Sequence, residues 1–112
     1  MLADVVDVVG DEPIRVLARI SVLSTAEGGR QGPFKAPYRP NHNFGDADNH
    51  ILYIGEVEVP EGTSIQPGEV VELMVRFLNV RGLSEKLTIG RTWQIQEGPK
   101  LVATGEVLKV LH

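Results

Sequence analysis

Cysteine is absent from the chain, which removes thiolate nucleophiles, cysteine-based zinc sites and any need for an oxidising compartment. Long hydrophobic runs are absent too: no segment reaches the roughly 20 apolar residues that a membrane span requires, and the opening MLADVVDVVGDEP has neither a basic leader nor a long apolar core. The expectation is a cytoplasmic protein with no membrane association. Aromatic residues make up only 5% of the chain, and no stretch shows a helical period. The serines Ser21, Ser24, Ser64 and Ser84 lie in no G-x-S-x-G setting, and the three histidines have no nucleophile motif beside them. The reading is therefore not an enzyme, with no cofactor implied.

What is present is period-two alternation over 112 residues, enough for one domain with its own core. Ile14, Val16, Ala18, Ile20 and Val22 share one strand face, with Arg15, Arg19 and Ser21 on the other. In ILYIGEVEVP, Ile51, Tyr53, Gly55, Val57 and Val59 fall on one side and Glu56 and Glu58 on the other, until Pro60 stops the strand. Pro67-Gly68 suits a type II turn. It introduces a third strand with Val71, Leu73, Val75 and Phe77 on one face. NVRGLSEKLTIG is ambiguous between a loop and a short strand. RTWQIQE and LVATGEVLKVL read as a hairpin turning at Glu97-Gly98-Pro99-Lys100, with Trp93 assigned to the core rather than to base stacking, and Gly105 marking a bend or a close backbone approach. Short strands without helices point to an all-β domain, a sandwich or a small closed barrel, with the barrel favoured.

Charge is unevenly spread. The net charge is −4, yet Asp4, Asp7, Asp11 and Glu12 precede the first base, and without these four the acids and bases number eleven each. Residues 1–13 thus form an acidic extension before a neutral body at 14–112. A Val-rich edge in that extension would invite self-pairing, hence a homodimer. Within the body, Arg30, Lys35 and Arg39 form an acid-free basic run inside EGGRQGPFKAPYRPN, where glycines and prolines restrain the backbone and Phe34 and Tyr38 anchor it by burial. A restrained basic loop is preorganised for an anion; the plainer alternative is a solvated loop. His42, Asp46, Asp48 and His50 have metal-ligand side chains but match no established spacing, and turn-forming residues explain the same segment, so no metal site is assigned. Glu56 and Glu58 are read as exposed solvating carboxylates.

EGGRQGPFKAPYRPN resembles the EGGR-x-x-PF-x-x-x-YRP stretch after the first strand of the C-terminal barrel domain of bacterial elongation factor Tu. The turn Pro60-Glu61-Gly62, the turn Pro67-Gly68-Glu69 and the closing IQEGPKLVATGEVLKVL follow in the same order as in that family. The resemblance covers residues 14–111 and implies a six-stranded antiparallel Greek-key barrel. It does not imply nucleotide hydrolysis, because the phosphate loop G-x-x-x-x-G-K-[ST] of that family's separate GTPase domain is missing. By position it implies contact with a tRNA stem through Arg30, Asn41, Glu97 and Gly98, to which Lys35 and Arg39 add charge. It also implies a face for packing on other proteins. Departures are visible: His42, Asn43 and Phe44 replace an aromatic run, and Pro99 replaces a glycine and removes an N–H donor. Two functions follow as expectations, a protein-interaction module first and an RNA- or tRNA-binding module second.

Overall fold

The structure, a computed structural model, describes residues 8–45 and 51–111. Alternation builds its first strand as the pattern predicts: in β1 (Ile14–Val22) the side chains of Val16, Ala18, Ile20 and Val22 are buried while Arg15 and Arg19 face out. One 3₁₀ turn (Thr25–Glu27) follows. Its capping box is complete, because the Ser24 hydroxyl accepts from the Glu27 N–H at 3.2 Å and the Glu27 carboxylate accepts from the Ser24 N–H at 2.9 Å. Next come β2 (Phe34–Lys35), β3 (Asn41–Asn43), β4 (Tyr53–Val57), β5 (Ser64–Ile65), β6 (Val70–Phe77), β7 (Thr92–Glu97) and β8 (Lys100–Leu111).

Six of these strands close into a barrel in the order β1-β6-β4-β3-β7-β8, and β2 with β5 makes a separate two-stranded ribbon. Every pairing in the barrel is antiparallel. β3, β4 and β6 are successive neighbours, and β1 and β7 return to flank them on either side, which is Greek-key connectivity. Closure removes the free edges that an open sheet of this size would expose. Two irregularities shape β8. Opposite β7 the register jumps between Ile95 and Gln96, leaving Val102 as the extra residue, and opposite β1 it jumps between Leu17 and Ala18, leaving Leu108. The first bulge turns both Val102 and Ala103 inward, which accounts for apolar residues on what simple alternation makes two faces.

Aromatic rings fill one part of the interior. Phe44 stacks on Trp93 with centroids 5.2 Å apart, and Tyr53 and Phe77 meet the same cluster edge-on. Gly105 is required there: a Cβ on it would lie 2.6 Å from the Trp93 ring. The Gln66–Glu69 turn has the predicted form, with the Glu69 N–H donating to the Gln66 carbonyl at 3.1 Å and Gly68 at φ 90°.

Two readings change and one open alternative resolves. β4 begins at Tyr53, so Ile51 stays outside the strand and 43% exposed rather than joining its buried face. β3 lies in a segment read as a polar loop. The stretch 79–90, ambiguous in the sequence between a loop and a short strand, is a series of turns. Topology then sorts the connections into two ends. The segment from β1 to β3, the segment from β4 to β6 and the β7–β8 hairpin gather at one end. At the other lie the β3–β4 connection, residues 78–91 and the approach to β1, where Val9 donates its N–H to the Asn79 carbonyl at 2.9 Å and Val8 bridges Val80. No helix among the described residues is long and apolar enough to cross a membrane.

Candidate functional site

The connection from β1 to β3 is pinned by burial of its two aromatic residues. Phe34 and Tyr38 are buried and stack with centroids 4.1 Å apart. Arg30 lies over both rings, 5.2 Å from the Phe34 centroid and 5.6 Å from that of Tyr38, and donates to the Pro33 carbonyl at 2.7 Å. Its Nε meets Glu97 Oε2 at 3.1 Å, and the Tyr38 hydroxyl donates to that same oxygen at 2.5 Å. Burial and the adjacent Glu97 carboxylate both push the Tyr38 phenol upward in pKa, so it remains a neutral donor. The β7–β8 hairpin is thereby tied to the loop by one carboxylate holding a guanidinium and a phenol together.

The resemblance implies that Arg30, Glu97 and Gly98 share one surface, and in the structure Arg30 and Glu97 pair with each other. Gly98 follows Glu97 at the exposed hairpin turn, and Asn41 sits in register with Gln96, one residue before Glu97. The anion-ready basic run, however, is not what forms. Arg30 is answered internally by Glu97, and Arg39 turns to Glu56, its Nε 3.1 Å from Oε1. Lys35 is exposed on β2 in register with Ser64 and lines a polar hollow with Glu61 and Thr63. The three cations therefore serve three separate surroundings. Sequence separation hides this, since Arg30 and Glu97 are 67 positions apart in the chain.

Glu56 and Glu58 are likewise not bare solvating groups. Arg76 reaches the same Glu56 oxygen at 3.2 Å, and Arg15 pairs with Glu58 at 3.0 Å. Arg19 stands between Glu106 at 3.0 Å and Glu72 at 3.7 Å. The outer wall of β1, β4, β6 and β8 is a lattice of opposite charges, each exposed pair contributing about 0.2–1 kcal/mol at most.

His42 is fully buried, unlike a metal ligand on a polar loop. Trp93 Nε1–H donates to its Nδ1 at 3.0 Å, and its Nε2–H donates to the Gly55 carbonyl at 3.0 Å. Both ring nitrogens are committed, so the imidazole has no lone pair left for a metal. Burial lowers its pKa to about 4, against a smaller upward pull from the Gly55 carbonyl. Asp46, Asp48 and His50 lie outside the described residues, and among the described residues no cluster suits a metal ion.

Exposed apolar side chains concentrate at the opposite end of the barrel. Val8, Val9, Ile51, Leu52, Ile54 and Ile89 are all exposed there, with Ile54 at 56% and Ile89 at 75%, whereas among the described residues Val70 alone of the exposed large hydrophobics starts a strand at the Arg30 end. Sequence reading missed this surface because alternation counted Ile51 as core and gave no place to Ile54 and Ile89. No protein-family model matches the sequence.

Proposed function

We propose that the chain is a non-catalytic protein-interaction barrel of the elongation factor Tu third-domain type. The motif order EGGR, PF, YRP, PEG and the closing hairpin supports that kinship, and a closed six-stranded antiparallel barrel is the fold it calls for. One observation carries the functional reading: the exposed aliphatic side chains of Val8, Val9, Ile51, Leu52, Ile54 and Ile89 gather at one end of a barrel whose other end is tied by charge. Apolar surface gathered in this way marks a site of association. RNA binding is the weaker reading, because Arg30 and Arg39 already have carboxylate partners and a phosphate would have to displace them.

A photo-crosslinking side chain placed at Ile54 or Ile89, and at Lys35 as control, tests this in native lysate at ~0.5 M salt, where exposed charge contacts are screened. Discrete crosslinked protein is expected from the first two positions and not from Lys35. The reading fails if the apolar end yields no discrete product, or if the native protein instead binds tRNA in a strongly salt-dependent manner.

A further inference from the structure

Beside Ile54 the apolar end passes into a groove of about 220 Å³ whose walls include Pro13, Arg39, Ile54, Glu56, Arg76 and Leu78. Its two flanks differ in chemistry. Ile54, Pro13 and Leu78 offer aliphatic surface, and the Leu78 N–H donates to the Ile54 carbonyl at 2.9 Å, so this flank is held on two adjoining strands. On the other flank Arg39 and Arg76 both point at one oxygen, Glu56 Oε1, at 3.1 and 3.2 Å.

Two guanidiniums share one carboxylate, which leaves one positive charge without a matching acid among the described residues that line the groove. The neighbouring Arg15 is matched by Glu58 and supplies no surplus of its own. Each arginine spends one nitrogen on Glu56, Nε from Arg39 and Nη2 from Arg76, although a guanidinium fork can grip a carboxylate with two. Both side chains are open to solvent, 67% and 47% exposed, while Glu56 beneath them is 21% exposed. The geometry is that of a seat for a second carboxylate arriving from outside.

We propose that this groove binds an acidic–aliphatic segment of a partner protein, with a partner Asp or Glu bridging Arg39 and Arg76 and an adjacent aliphatic side chain covering Ile54. The inference rests on the protein-interaction reading and adds the partner's chemistry to it.

Backbone and arginine side-chain NMR of the ¹⁵N-labelled full chain tests it, with a short synthetic peptide alternating leucine and aspartate as probe and its leucine–asparagine counterpart as control. The aspartate peptide is expected to shift the Ile54 amide and the Arg39 and Arg76 Nε–H signals, and the control to bind about tenfold more weakly, the loss of one charge-assisted contact. Arg39→Gln should weaken the aspartate peptide by a similar factor. Glu56→Gln should tighten it, because the competing internal carboxylate is gone; a purely structural Glu56 would produce loss instead. Equal binding of both peptides, no shift at Ile54 with either, or weakened binding in Glu56→Gln overturns the inference. So does a concentration-dependent shift of Ile54 without peptide, which would assign the groove to a second copy. Crosslinking at Ile54 or Ile89 that persists through any of these results leaves the broader reading standing, and its absence at both sinks that reading separately.

Discussion

Each end of the barrel carries an arginine laid over an aromatic ring, Arg30 above Phe34 at 5.2 Å and Arg91 above Phe44 at 5.5 Å. Arg91 also donates to the Phe44 carbonyl at 2.7 Å, as Arg30 does to that of Pro33. The difference lies in what else is attached. Glu97 joins Arg30 to Tyr38 across the hairpin, so polar contacts stitch that end shut and little apolar surface is left over. Around Arg91 the neighbouring connections present Ile51, Leu52 and Ile89 to solvent. One end spends its side chains on internal ties, and the other keeps aliphatic groups free for an external surface.

The interior beneath both ends is the place to break them together. Gly105→Val would force a side chain into the Trp93 ring, where even a Cβ would sit 2.6 Å away. Overpacking of this severity is expected to cost about 3 kcal/mol or more, read as a lower urea midpoint. Acid should act next. His42 is held neutral in the fold with its pKa near 4, below its ordinary 6.5. The unfolded chain therefore takes up a proton that the folded chain refuses, and stability falls as pH drops from about 6.5 toward 4. By pH 5 the loss should be about 2 kcal/mol relative to neutral pH. Urea titrations at both pH values check it, and His42→Gln, if folded, should flatten that slope; a slope unchanged in the variant would remove the assignment.

The smallest effect separates the two ends. Glu97→Ala leaves the Tyr38 hydroxyl and the Arg30 Nε without their common acceptor, and about 1–2 kcal/mol should be lost. Ile89→Gln at the other end should change stability by no more than about 0.5 kcal/mol while reducing crosslinked partner. Thermal or urea unfolding of the two variants, read beside the crosslinking yield, gives the contrast. If Glu97→Ala abolishes partner capture at unchanged fold, the division of labour between the ends is wrong.

Strands that alternate cleanly were legible in the sequence, and β1, β6 and the β7–β8 hairpin stand where alternation puts them. Burial of Phe34, Tyr38 and Trp93 was legible as well. β3 was not, because Asn41-His42-Asn43 has no apolar residue. It is buried by satisfying its polar atoms, and His42 needs Trp93 and Gly55 from two other strands to do so. The candidate site was half legible for a related reason. Only the family resemblance grouped Arg30 with Glu97; the carboxylate partners of Arg30 and Arg39 lie across the fold, and local sequence shows a basic run where the tertiary structure makes ion pairs. Likewise, the surplus at Arg39 and Arg76 exists only because β4 and β6 are neighbours.

Pairing of β1 with β8 along most of its length joins the earliest strand of the barrel to the latest. On a ribosome, β1 emerges with both of its neighbours, β6 and β8, still unmade, and its Val16, Ala18 and Ile20 stay wettable until β8 leaves the exit tunnel. A nascent chain of this design cannot seal itself piecemeal; its cylinder shuts late and in one step, and contacts spanning so much sequence make that step intrinsically slow.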